Sequence, residues 1–94
     1  MSINRYNPKR DANEKEIVDY LKKRGLSVER LNTPLDLLVG YNKRNYLVEI
    51  KMPKKHMNDK QIKFTESWKG QLVVINSIEQ ASMFADGVIE SGEL

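Results

Sequence analysis

The sequence predicts an α/β domain in which a mixed four-stranded sheet is flanked by helices. Three features predict this fold: amphipathic segments that begin at helix-capping residues, two alternating apolar segments joined by a polar turn, and a short apolar segment near the C-terminus. The predicted order of elements is α-β-β-β-α-β-α. A meander of three strands followed by a crossover helix and a fourth strand implies a mixed sheet with helices packed on it.

The composition narrows the classes of protein to which the chain can belong. Its net charge is +3 and its pI is about 9.2, which is compatible with a polyanionic partner without being diagnostic of one. The chain has no cysteine and one histidine, which excludes disulfides, thiolate catalysis and a metal site rich in Cys or His. We expect no organic cofactor.

One domain is expected, because the chain has 94 residues and can bury only a modest core. Residues 1–10 are predicted to form a basic arm, residues 11–87 the domain, and residues 88–94 a short acidic tail. No apolar segment has transmembrane length, and the N-terminus lacks the apolar core of a signal peptide. We therefore expect no membrane partner and a cytoplasmic location, in a cell or in a phage-infected host.

The first helix is predicted to begin at Asp11 or Asn13 and to run to about Arg24, with Gly25 just beyond its end. A strand over residues 26–31 follows, because its apolar residues alternate with polar ones.

The next two strands are predicted over residues 35–40 and 46–51, joined by turn-forming residues. Glu49 and Lys51 are two residues apart and therefore share a face. If the turn contains an even number of residues, Asp36 lies opposite or diagonal to both of them. The other face is then continuously apolar, so hydrophobic burial selects this register. That apolar face comprises Leu35, Leu37, Val39, Tyr46, Val48 and Ile50.

The cluster of Asp36, Glu49 and Lys51 predicts a site that binds a cation or performs chemistry. Two adjacent carboxylates repel each other and raise one pKa unless a cation lies between them. Hard divalent cations such as Mg²⁺ and Mn²⁺ prefer carboxylate and carbonyl oxygens. The alternative is a cross-strand salt bridge on a solvated face, which is disfavoured because Leu38 and Leu47 share the charged face.

Two further residues are candidates for this site. Glu14 shares the apolar stripe of the first helix and is a candidate third acid, or else a first-turn acid that caps the helix. Gln61 shares a face of the second helix with Phe64, Thr65 and Trp68. It would orient Lys51, contact a phosphate, or face solvent.

Basic residues lie on both sides of the acidic cluster in the sequence. They would follow a phosphate backbone, although a run of charge is more often a solvated loop. We expect His56 to be a surface or DNA-contacting residue rather than a metal ligand. The predicted DNA-binding residues are Lys54, Lys55, His56, Lys60, Lys63, Arg5, Lys9 and Arg10.

The remaining elements are a helix, a strand and a final helix. The helix begins at Asn58 or Asp59 and ends at Gly70. The wholly apolar segment 72–75 is predicted to be a central strand buried on both faces. Ser77 and Gln80 form a capping box for a last helix that ends at Gly87.

The motifs, taken in order, resemble those of the PD-(D/E)xK nuclease superfamily, most closely its small VRR-NUC type and more distantly the Holliday-junction resolvases. The resemblance covers about residues 12–81, and the order and spacing of the motifs carry it. In the family a proline normally lies directly beside the aspartate, whereas in this chain Pro34 lies two residues before Asp36. The stretch between Leu31 and Asp36 is also short for the family. The matching segments are residues 14–25, 36–39, 48–51, 61 and 73–77.

The resemblance implies a restriction-endonuclease-like αβββαβ core and a site for Mg²⁺ or Mn²⁺. Asp36 and Glu49 would bind the cation with the Ile50 carbonyl and Glu14. Lys51 would orient or activate the attacking water, and Gln61 corresponds to the glutamine of the motif.

The implied function is a metal-dependent, structure-specific endonuclease that hydrolyses phosphodiester bonds of branched DNA, such as four-way junctions, as a homodimer. Structure-specific cutting is favoured because so small a chain has little surface for reading base sequence. The alternatives are a non-catalytic DNA- or protein-binding module with this fold, and an RNA endonuclease.

Overall fold

The structure, a computed structural model, describes residues 12–52 and 56–92 and has an α/β fold with a four-stranded mixed sheet and three helices in those ranges. The order of the elements is the predicted one. No helix in these ranges is long and apolar enough to cross a membrane. The elements are α1 (Glu14–Lys23), β1 (Ser27–Arg30), β2 (Leu37–Tyr41), β3 (Arg44–Ile50), α2 (Asp59–Ser67), β4 (Leu72–Ile75) and α3 (Ile78–Gly92).

The strands lie in the order β1-β2-β3-β4, in which β1, β2 and β3 are antiparallel neighbours and β4 is parallel to β3. Helix α2 connects β3 to β4, as a parallel pair requires a crossover. The prediction that residues 72–75 form a central strand is wrong, because β4 is at one edge of the described sheet and Val74 is exposed. Val74 lies beside Glu49 on the charged face, which the helices do not fully cover.

The hairpin of β2 and β3 has the predicted register. Its turn consists of Asn42 and Lys43, an even number of residues, and Leu37 pairs with Val48. The predicted apolar face is buried, because Leu35, Leu37, Val39, Val48 and Ile50 all belong to the core residues. Hydrophobic burial therefore places the charged residues of the hairpin together on the opposite face.

Both turn residues have left-handed backbone conformations, with φ of 52° at Asn42 and 68° at Lys43. Two-residue turns of this kind favour Asn followed by Gly, since glycine has no Cβ to clash.

We expect Lys43→Gly to raise the free energy of unfolding by about 0.5–1 kcal/mol, measured by urea denaturation. The control is Lys22→Gly at an exposed position of α1, which should lower the free energy of unfolding by about 1 kcal/mol. A loss of stability in Lys43→Gly would contradict this turn geometry.

Helices α1 and α3 pack on the apolar face of the sheet, whereas α2 contacts Glu49 on the opposite face. In α1 the buried stripe is Ile17, Val18 and Leu21, and α1 contacts both β1 and α3. Arg24, just after α1, forms an ion pair with Asp86 of α3 at 2.6 Å between Nη2 and Oδ1.

The ends of the later helices differ from the prediction. Helix α2 ends at Ser67 rather than Gly70, and α3 continues past Gly87 to Gly92. The predicted acidic tail over residues 88–94 is therefore wrong for residues 88–92, because Val88 is buried in the core. Burial of Val88, in the helical turn that follows Gly87, offsets the low helix propensity of that glycine.

The start of α3 confirms Ser77 as its cap, but the backbone N–H bound by the Gln80 side chain belongs to Asn76 rather than to Ser77, as the predicted capping box would require. The Ser77 hydroxyl accepts the backbone N–H of Gln80 at 3.1 Å, and the Gln80 side chain accepts the backbone N–H of Asn76 at 2.8 Å.

Candidate metal and nucleic-acid site

Asp36 lies at the point where the β2–β3 ladder ends. The last paired residues are Leu37 and Val48, so Asp36 stands next in register, opposite Glu49. Its carboxylate accepts the backbone N–H of Ile50 at 2.8 Å. The side chain thereby takes the place of a backbone partner, which holds the carboxylate at the end of the strand pair.

Glu49 is almost completely buried, with 1% of its surface exposed. Its Oε2 atom accepts a hydrogen bond from Gln61 Nε2 at 2.7 Å and lies 3.3 Å from Lys51 Nζ. Its Oε1 atom is buried and has no hydrogen-bond partner among residues 12–52 and 56–92. Burial, and secondly the neighbouring carboxylate of Asp36, raises the pKa of Glu49 from 4.5 to about 7, while Lys51 opposes this shift.

The residues of this site fit a hard divalent cation. Glu49 offers an unpartnered carboxylate oxygen beside the Asp36 carboxylate, and such an oxygen is costly to bury without a partner. In residues 12–52 and 56–92 no group of three or more Asp, Glu, His or Cys side chains lies close enough to hold a metal ion. Two carboxylates are nevertheless what Mg²⁺ commonly takes from a protein, with water and substrate phosphates completing its shell.

Glu14 is buried, as expected of a residue on the inner stripe of α1. Its Oε2 atom lies 3.4 Å from the Nε atom of Arg30 on β1, an ion pair that the sequence did not reveal. The described residues contain no three-acid group that would join Glu14 to Asp36 and Glu49. Its role as a third metal ligand, and that of the Ile50 carbonyl, stay predictions.

Lys51 follows β3 directly, and its side chain is 18% exposed. Its backbone N–H donates to the Ile75 carbonyl at 3.0 Å, which continues the pairing with β4. This places the ammonium group beside Glu49 at a position that solvent still reaches. An anion that reached the acid pair would therefore also lie close to the Lys51 ammonium group.

Asn13 has a role that sequence reasoning missed. It occupies the N-cap position of α1, but its side chain makes no capping hydrogen bond. Instead Nδ2 donates to the backbone carbonyls of Asn76, at 3.2 Å, and Lys51, at 3.5 Å. Asn13 thus ties the start of α1 to the ends of β3 and β4, and no local pattern could have shown contacts so distant in sequence.

Gln61 uses both ends of its side-chain amide. Its Oε1 accepts the backbone N–H of Asn58, and its own backbone N–H donates to the Asn58 side chain, which completes a capping box at the start of α2. Its Nε2 donates to Glu49. The structure therefore places Gln61 against Glu49 rather than against Lys51, the partner considered from sequence.

Gln61→Leu is expected to weaken binding of Mn²⁺ by about 10- to 100-fold, because the donor that orients Glu49 is lost. Isothermal titration calorimetry measures this affinity. The matched control is Gln80→Leu, which removes the corresponding capping glutamine from α3, far along the chain from Glu49. An equal loss in both variants would show that the effect arises from capping alone.

The predicted DNA-binding residues are only partly described by the structure. His56 is exposed, and Lys60 and Lys63 are exposed on α2, the helix that carries Gln61. The remaining five, and with them the basic arm of residues 1–10, lie outside the described ranges. These five are Arg5, Lys9, Arg10, Lys54 and Lys55.

Comparisons with protein families, curated proteins and solved structures gave no match. We therefore infer a function from the geometry of the acid pair and from the order of the motifs around it.

Proposed function

We propose that this chain is a metal-dependent endonuclease of the PD-(D/E)xK type, with a restriction-endonuclease-like core, and that it hydrolyses phosphodiester bonds of DNA. The observation that carries the proposal is the buried Glu49 carboxylate, which lies beside Asp36 and Lys51 and has one oxygen without a hydrogen-bond partner in the described part of the chain. An arrangement this unfavourable for stability is expected where a cation and a substrate complete it.

Asp36 and Glu49 would hold Mg²⁺ or Mn²⁺, with the Ile50 carbonyl and Glu14 as the further ligands that the resemblance implies. The chemistry that such a cation supplies is polarisation of a phosphate oxygen and a lower pKa for the attacking water.

The remaining residues have roles that follow from their contacts. Gln61 holds Oε2 of Glu49 and leaves Oε1 for the cation. Lys51 can donate hydrogen bonds to the attacking water or to a phosphate oxygen, and its charge stabilises the negative charge that develops there. Asn13 keeps the end of β3 in place through the carbonyl of Lys51.

The preferred substrate in this proposal is branched DNA, such as a four-way junction. A symmetric homodimer would bring two sites to two strands of such a substrate. The location that accords with this activity is the cytoplasm of a cell or of a phage-infected host.

A non-catalytic module that binds DNA or protein is the second candidate, favoured by the lack of a three-acid group among the described residues. It predicts that the acid pair binds no divalent cation at millimolar concentration. An RNA endonuclease is the third candidate, and competition between RNA and DNA substrates distinguishes it.

The proposal is tested with the purified chain on a four-way junction, a flap, a blunt duplex and an RNA hairpin, with Mg²⁺ or Mn²⁺ and with a chelator. We expect cation-dependent cutting of branched DNA, and a loss of about 10³-fold or more in Asp36→Ala. Asp19→Asn is the control. Asp19 is exposed, and within the described residues its one ion pair is with Lys15 of the same helix. Equal cutting by Asp36→Ala and the unaltered chain would show that the assignment is wrong.

A further inference from the structure

A cavity of about 700 Å³ lies beside the acid pair on the same face of the sheet. Leu38 and Leu47 pair across β2 and β3 and form its floor. Each is two residues from an acid of the pair, so all four side chains project from one face. Phe64 and Trp68 of the α2 segment form its wall, with their rings stacked at 5.3 Å.

Helix α2 connects this cavity to the proposed catalytic site. Gln61 contacts Glu49, Phe64 follows about one turn later, and Trp68 caps the end of the helix. Along β3, Leu47 is about 7 Å from Glu49, the span of two strand residues. A nucleotide adjoining a phosphate at the acid pair would therefore reach the cavity without leaving this face.

The surface of the cavity is unusual for a part of a protein that faces solvent. Trp68 is 45% exposed and Leu38 is 37% exposed, and adjoining apolar side chains of this kind commonly mark a binding site. Gly70 allows the indole ring to lie against the chain, because a Cβ there would come within 2.7 Å of Trp68 Nε1. The stacked rings thus form an aromatic surface whose position the backbone supports.

The charge of the cavity is complementary to a nucleic acid. Lys43 and Arg44 line its hairpin end, and its described lining residues include no Asp or Glu. Lys43 has a left-handed backbone conformation, which glycine would adopt at a lower free-energy cost. A lysine at this position therefore lowers the stability of the fold but places a positive charge at the cavity. An apolar aromatic surface with cations at one end suits a base and its phosphate better than an apolar peptide.

We propose that this cavity binds an unpaired nucleobase of the DNA strand that lies at Asp36 and Glu49. This proposal rests on the proposed nuclease function and deepens it, because it names the feature of the substrate that is recognised. A base in duplex DNA is already stacked and paired, whereas a base in a flap or at a branch point is free to stack on Trp68. Stacking of this kind tolerates any base, so recognition would depend on strand structure rather than sequence.

The experiment uses the intrinsic fluorescence of Trp68, which is the only tryptophan in the sequence. A thymidine decamer is titrated into the whole chain in chelator, so that no cutting occurs, and a blunt duplex of equal length is titrated in parallel. We expect saturable quenching by the single strand and much weaker quenching by the duplex.

Variants test whether the aromatic wall supplies the affinity. By anisotropy of a labelled decamer, Trp68→Ala should bind about 5- to 100-fold more weakly, and Trp68→Tyr should keep most of the affinity. Gly70→Ala should also weaken binding, since the indole ring must move. Ile62→Ala is the matched control, because Ile62 is on the same helix, is 37% exposed and does not line the cavity.

Three results would overturn the proposal. In the first, Trp68→Ala binds the decamer as tightly as the unaltered chain does; in the second, the blunt duplex quenches the fluorescence as strongly as the single strand. In the third, light scattering shows a dimer that Trp68→Ala converts to a monomer. The last would assign the cavity to contact between copies. Because binding is measured without cutting, decamer binding in a chain that fails to cut DNA would contradict the nuclease function while supporting the cavity.

Discussion

Lys51→Met is expected to lower the rate of DNA cleavage by about 10²- to 10³-fold while leaving a functional cation site. The methionine keeps most of the side-chain volume and removes the charge, so the pairing of β3 with β4 is retained. The reason for the loss is the position of the ammonium group, 3.3 Å from Glu49 and partly open to solvent, where a phosphate would arrive.

The pH of this experiment matters because Lys51 also acts on Glu49. The ammonium group lowers the pKa of Glu49, so its removal raises that pKa and lets protons compete with the cation near neutral pH. At pH 8.5 Glu49 should be ionised in both proteins. There we expect Mn²⁺ affinity at least equal to that of the unaltered chain, since a repelling positive charge has gone.

Single-turnover cleavage and calorimetry with Mn²⁺, both at pH 8.5, measure the two effects separately. Lys22→Met is the control, because Lys22 is exposed in the last turn of α1. If Lys51→Met cut DNA at the unaltered rate, Lys51 would have no catalytic role. If cation binding were also lost, its role would be to maintain the acid pair.

Glu49→Gln is expected to abolish cation binding and, in chelator, to make the protein more stable at pH 8 than the unaltered chain. The folded-state pKa of about 7 is higher than the ordinary value of 4.5, so the folded protein binds this proton more tightly than the unfolded chain does. The free energy of unfolding therefore falls as pH rises from about 4.5 to 7, and this contribution is constant above that range. A shift of this size corresponds to about 3 kcal/mol.

Glutamine has nearly the same shape and does not ionise, so Glu49→Gln should lack this pH dependence. Urea unfolding at pH 5, 6, 7 and 8 in chelator measures the effect, with the exposed Glu66→Gln as control. Addition of Mn²⁺ at pH 8 should restore stability to the unaltered chain and have little effect on Glu49→Gln. Parallel pH profiles for the two proteins would contradict the description of Glu49 as a destabilising buried acid.

The hairpin and its charged residues were predictable because they depend on local chemistry. Side chains alternate across strands, and burial of one apolar face allows a single register. Once the turn has an even number of residues, Asp36 and Glu49 must meet. The element order was likewise predictable from helix caps and apolar spacing.

The rest depended on contacts between distant parts of the chain. The apolar sequence of β4 does not reveal whether the strand pairs with one neighbouring strand or with two. Its position at the edge of the sheet was therefore not predictable. The end of α3 was missed because glycine has low helix propensity, whereas burial of Val88 on the core decides the outcome. Asn13 and Gln61 were correctly associated with helix starts, but their partners across the sheet follow only from the packing of α1 and α2.

The most direct test of the acid pair as a catalytic cation site is a calorimetric titration of Mn²⁺ into the whole chain at pH 8, with Asp36→Asn titrated in parallel. We expect saturable binding at one site per chain, and a large loss of that binding in Asp36→Asn. Absence of binding up to millimolar Mn²⁺, or equal binding by Asp36→Asn, would contradict it.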